Sequence, residues 1–158
     1  MKNTILITWN ELQQQIDLTN FYMGESAKRK DPDADTIQSS KDDEELLIMF
    51  AKRACNELVT AVALRFPSIS CSVDNRYIIL ELETCKEIRK DILPILKQAM
   101  SDYIANEVTM LWLLTRQPQM AQTSIAAKEI LYMKVQHLFA KIYNSTKKRL
   151  RATDLAGI

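Results

Sequence analysis

EIRKDILPILKQAMSDYIANEVTMLWLLTRQPQMAQTSIAAKEILYMKVQHLFAKIYN, residues 87–144, decides the fold. Ile88, Ile92, Ile95, Leu96, Ala99, Tyr103, Ile104, Val108, Leu111 and Trp112 recur mostly at helical spacing, which predicts a long amphipathic helix. Lys97, Gln98, Asp102, Asn106 and Glu107 supply its expected polar face. Pro94 lacks a backbone donor and crowds the preceding turn, so a kink or a fresh start is expected near Asp91. Gln117-Pro118-Gln119 breaks the pattern. A second helix follows, from Gln119 or Gln122 to Thr146, with Ala127, Leu131, Val135, Leu138 and Ile142 as its stripe. So short a link predicts an antiparallel hairpin of helices. Ala121, Ala126 and Ala127 would let the two axes approach closely. The expected role is a rigid strut that carries a basic run, Lys147-Lys148-Arg149-Leu150-Arg151, away from the body.

Working back from that hairpin, residues 68–82 read as a β-hairpin. Ile69, Cys71 and Val73 alternate with serines, Asp74-Asn75 suits a turn, and the returning strand from Tyr77 to Leu82 is almost wholly apolar. Two strands alone are marginal. This pair must lie on helices, or take a further strand from the N-terminus or from another chain. Tyr77 and Ile79 are expected to line an exposed edge open to assembly. Upstream, Leu47, Phe50, Ala51, Ala54, Leu58, Val62 and Phe66 form the stripe of a helix that starts at Asp42 or Asp43 and stops before Pro67. Thr8 and Glu11 form a capping box after a short strand (4–8), opening a helix over about 9–18. Thr84 and Glu87 form a second such box. Residues 24–43 hold one large apolar side chain, Ile37, and read as a polar loop that orders on assembly.

The expected organisation is therefore an N-terminal strand and helix (1–23), a polar loop (24–43), a helical core with the β-hairpin (44–146) and a basic arm (147–158). The fold class is mainly α: a helical bundle with two long antiparallel C-terminal helices, a small β-hairpin and an extended arm. Across 158 residues the net charge is only +1, which argues against a general polyanion binder. Its distribution is uneven. Residues 113–158 hold eight Lys or Arg against two acids, a net +6, leaving about −5 on the rest. The cations near the end suit a helix C-terminus, docking on an acidic protein surface, or contact with nucleic-acid phosphates.

Candidate chemistry is sparse. Cys55, Cys71 and Cys85 lack metal or redox spacing and read as small buried residues in a reducing cytosol. Asp31, Asp33 and Asp35 alternate as in a calcium loop, but Thr36 and Asp42 stand where such a loop needs Gly and Glu. His137 has no ligand partner at metal spacing, and two glycines cannot build a phosphate cradle. No catalytic, cofactor-binding or metal residue is expected, and no enzyme activity. The first apolar run is too short for a signal peptide, and none approaches the ~20 residues of a membrane span.

The layout resembles a known family. It has an N-terminal Thr-Ile-Leu-Ile-Thr-Trp-x-Glu-Leu entry, an acid-started helix, a short hairpin, a Tyr103-Ile104-x-Asn106 helix ending in Leu111-Trp112, a last helix and a basic arm. It is similar to the head–tail connectors, or adaptors, of tailed phages, more narrowly those of gut Bacteroidetes phages. The resemblance implies a non-enzymatic virion protein made in the host cytoplasm. It further implies a ring, typically of about twelve copies, beneath the portal protein at the tail junction, with DNA passing through unbound. Lys147, Lys148, Arg149, Arg151 and Ile158 of the arm, with Tyr77 and Ile79, are then the expected interface. The alternative is a small nucleic-acid-binding or regulatory protein that uses the basic helix end.

Overall fold

The computed structural model describes residues 1–30, 43–64, 66, 69–74, 76–84 and 87–146. Its elements in chain order are β1 (Lys2–Thr8), α1 (Trp9–Lys30), α2 (Glu44–Ala63), β2 (Ile69–Val73), β3 (Tyr77–Glu83), α3 (Ile92–Arg116) and α4 (Gln122–Thr146). A single 3₁₀ turn at Pro118–Met120 links the last two helices. The fold is mainly α, with a small antiparallel sheet.

The sheet has the order β1-β3-β2. Ile5 pairs with Leu80 and Ile7 with Ile78, while on the other side Cys71 pairs with Leu80 and Val73 with Ile78. Because side chains alternate along a strand, these residues share one face with Leu82 and Ile69. That face packs into the core. The N-terminus itself is tied down. The Met1 ammonium donates to the Thr84 carbonyl at 2.6 Å, the Thr84 amide donates to the Met1 carbonyl at 2.9 Å, and Asn3 Nδ2 donates to Thr84 Oγ1 at 3.1 Å.

β3 is thus the central strand, which explains its apolar composition and corrects one expectation. Tyr77 and Ile79 do not lie on a sheet edge, because β1 takes one side of their strand and β2 the other. The edges are β1 and β2.

At the first helix start the expected capping box forms. The Thr8 amide donates to Glu11 Oε2 at 2.9 Å and the Glu11 amide to Thr8 Oγ1 at 3.2 Å. The Trp9 amide donates to the Arg76 carbonyl at 2.8 Å, joining the helix start to the β2–β3 turn. α1 then runs well past Leu18 to Lys30, so residues 24–30 are helical rather than loop. Glu25, Ala27, Lys28, Arg29 and Lys30 are all good helix formers, and a single glycine costs only about 1 kcal/mol in a helix. A polar composition does not by itself mark an unstructured segment. The rest of the expected loop, with Asp31, Asp33 and Asp35, lies outside the described residues.

α2 buries Leu47, Phe50, Ala51, Ala54, Leu58 and Val62, as its stripe predicts, and adds Cys55. It ends at Ala63, short of Phe66, whose amide still reaches the Val62 carbonyl at 2.9 Å. The second expected capping box does not form, since α3 starts only at Ile92 and Thr84 is engaged with the N-terminus. Pro94 sets this start. In a helix begun at Glu87 its ring would meet the Lys90 carbonyl. In one begun at Ile92 it falls in the first turn, where no intrahelical donor is needed.

α3 is the axis of the molecule. α1 packs beside it from the same end, with Lys97 Nζ 2.8 Å from Glu11 Oε1. α2 and α4 pack against it in the opposite sense. Asp43, at the start of α2, pairs with Arg116 at the end of α3. The backbone carbonyl of Ser124 in α4 accepts from Asn106, and Asp102 meets Lys134 at 3.5 Å. Every residue from 103 to 110 is buried. α3 is therefore a core helix and not a strut, and Asn106 and Glu107 are interior rather than solvated.

Candidate interaction surfaces

The polar side chains of α3 come first, because buried ionisable groups are where chemistry would be sought. Glu107 is 1% exposed. Its Oε2 accepts from Lys128 Nζ at 2.8 Å, across from α3 to α4. Its Oε1 has no hydrogen-bond partner. The Tyr103 hydroxyl is pushed upward in pKa by burial first and by the charge of Glu107 second. Beside them Asn106 Nδ2 donates to the Ser124 carbonyl at 2.9 Å. Together these bonds fix how α4 slides along α3, since a shift by one residue would strand a buried carboxylate. The cleft between Trp9, Ala51, Val73 and Tyr77 admits about one water-sized sphere, roughly 10 Å³, and is apolar. Among the described residues no group of three or more His, Cys, Asp or Glu could hold a metal ion. No helix there is long and apolar enough to cross a membrane.

At the other end of α3, the Arg116 guanidinium stacks 5.7 Å from the Trp112 ring while it pairs with buried Asp43. Asp43 sits at the α2 start, as its charge predicts, but its side chain makes no capping bond there. The ion pair replaces the cap and closes α2 onto α3.

The surface features are apolar. Tyr77 and Ile79 emerge on the outer face of the sheet, where Leu6 stands across from Ile79 and Thr8 across from Tyr77. The Lys2–Glu81 pair, at 2.8 Å, borders this strip. Tyr77 and Leu6 are exposed and Ile79 is half-buried. These two expected interface residues are thus brought together, but by their side chains and not by a free backbone edge. Lys147, Lys148, Arg149, Arg151 and Ile158 lie outside the described residues.

Two further surfaces escape the sequence reading. On α4, Ile130 is 71% exposed and Met133 61%, with Ile125 and Tyr143 also open. The inward stripe of α4 is Val135, Leu138, Phe139 and Ile142, packed with Phe66 against the end of α2. Of the small residues expected at the close approach of the helices, Ala121 is buried but Ala126 is exposed, and buried Ser124 takes its place. On α1, Phe21 is 58% and Tyr22 64% exposed, their rings 5.8 Å apart edge to face, with Leu18 beside them. The signal was available for α4: apolar residues occur on two sides of it. For α1 it is weaker, because Phe21 and Tyr22 belong to a helix only if the polar residues after them continue it.

Comparison with protein-family models, with curated proteins and with solved structures returns no match to this chain.

Proposed function

We propose that this protein is a non-enzymatic structural subunit that assembles into a ring, and that the ring is the head–tail connector at the portal–tail junction of a tailed phage. One observation carries the assembly reading. Large apolar side chains stand exposed on α4 (Ile130, Met133) and on α1 (Phe21, Tyr22), two helices that both pack on α3 and touch one another little or not at all. Two separate apolar surfaces on one subunit suit a head-to-tail contact, in which α4 of one copy meets α1 of the next. A heterologous contact of that kind closes into a ring when its rotation permits.

The placement at a portal rests on the sequence resemblance. In it the ring extends the DNA channel and the arm with Lys147, Lys148, Arg149 and Arg151 reaches into the portal protein or an adjacent ring, while the sheet face with Tyr77 and Ile79 is offered to a neighbouring subunit.

The test is mass photometry and negative-stain electron microscopy of the purified protein, alone and with its portal partner. Rings of about twelve copies are expected. A monomer or dimer that never forms rings, and that binds DNA with an affinity falling steeply with salt, would replace this reading with that of a nucleic-acid-binding regulator.

A further inference from the structure

Cys55 and Cys71 come from different elements and meet in the core. Cys55 lies on the buried stripe of α2 and is fully shielded from solvent. Cys71 is the middle residue of β2, on its inward face and half-buried. Their Sγ atoms are 2.8 Å apart, although sixteen positions separate them in sequence, and both are free thiols. That separation is well inside ordinary van der Waals contact and less than 1 Å beyond the covalent S–S length of about 2.0 Å.

We infer that Cys55 and Cys71 are a dithiol site that is oxidised to a disulfide joining α2 to the edge strand β2, with a small-molecule disulfide as oxidant. The roles of the two sulfurs differ. Cys71 is the accessible one, on a strand whose backbone pairs with β3 on one side only. A Cys71 thiolate would accept a hydrogen bond from the neighbouring Cys55 thiol and is favoured by it, while that shared bond and burial keep the Cys55 proton in place. Thiol exchange needs an accessible thiolate first and a resolving thiol second. The Cys71 thiolate attacks one sulfur of the oxidant, forming a mixed disulfide and releasing one small thiolate. Cys55 then loses its proton to that thiolate and attacks Cys71 Sγ, releasing the second small thiolate, which takes up a proton from water. Two protein thiols become one disulfide, and the reagent disulfide becomes two thiols. The bond would tie down the β2 edge and close the chain between Cys55 and Cys71 into a covalent loop. The inference is independent of the assembly reading.

The test uses full-length Cys85→Ser protein, so that only this pair can react. Folded protein is incubated with oxidised glutathione, quenched in acid, and alkylated in denaturant for intact mass and peptide mapping. Two alkylatable thiols should be lost with two hydrogens, mapping to Cys55–Cys71. Tm should rise by roughly 5–10 °C and fall back on reduction. With Cys55→Ser added, Cys71 should instead stop as a glutathione adduct. The inference is overturned if both thiols still alkylate after exposure, or if the adduct persists while Cys55 is present. It is equally overturned if the disulfide forms without raising Tm.

Discussion

Helices α3 and α4 have the same length, 25 residues each, and lie side by side, yet they are used in opposite ways. α3 is enclosed by α1, α2, α4 and the sheet strand β1, so even its polar residues Asn106, Glu107 and Thr109 are interior. α4 packs through one side only and leaves Ile130 and Met133 in water. α3 buries its apolar side chains along the middle of its length and exposes large ones only towards its ends, at Ile95 and Leu114. The other leaves Ile130 and Met133 exposed along its middle, the surplus on which the proposed assembly rests. The difference separates what holds the fold from what is available for assembly.

The comparison is broken most severely in the middle of α3. Ile104→Ala removes methylenes from a site with no solvent exposure, and should destabilise the fold by about 2–5 kcal/mol in urea unfolding. Ile130→Ala on α4, chemically the same change, should stay within about 0.5 kcal/mol. Equal costs would mean that α4 is packed as α3 is.

The next largest effect lies at the bond between the two helices. Lys128→Ala leaves the Glu107 carboxylate buried without its cation, and should cost about 2 kcal/mol, moderated because Lys128 is itself partly exposed. Glu107→Leu combined with Lys128→Leu should recover most of that loss by thermal or urea unfolding. A double variant worse than the single one would show that the pair contributes net stability and does more than set register.

These two helices also show how far the sequence could be read. The apolar repeat on α2, the Thr8–Glu11 box, the Pro118 break and the serine alternation of β2 are local patterns, and each forms as it reads. Pro94 left two readings open, and the fresh start at Ile92 is the one adopted. What was illegible depends on neighbours distant in sequence. Glu107 reads as solvated on a helical wheel, and only Lys128 arriving from α4 allows its burial. For Tyr77 and Ile79 the sequence left open an exposed edge or a pairing with the N-terminal strand, and the β1–β3 register is the second of these. The surplus on α4 is masked in the sequence because one apolar stripe already suffices for a helix. Cys55 and Cys71 carry no motif at all, and only the packing of β2 on α2 brings them together.

The smallest effect concerns the entry to α1. Lys97, in first place, and the Thr8 amide hold the Glu11 carboxyl down at about 2, from an ordinary 4.5. A lowered folded-state pKa adds stability above the unfolded value. That stability is lost as pH falls from about 4.5 to about 2. Glu11 is largely solvent-exposed, so after screening the contribution should be no more than about 1 kcal/mol. Glu11→Gln should flatten the stability profile in that acid window and change it little near neutrality. An unchanged acid limb would remove the Lys97–Glu11 link between α1 and α3.

The central claim is that α4 has an outer face meant for a second copy. It is tested most directly by the mass distribution of wild-type protein and of Ile130→Glu/Met133→Glu across a concentration series, with unfolding measured on both. Wild type should populate closed rings. The variant should remain monomeric with unchanged stability, because both side chains already stand in water. Rings that persist in the variant, or a wild type that stays monomeric at every concentration even with a portal partner, would contradict the account.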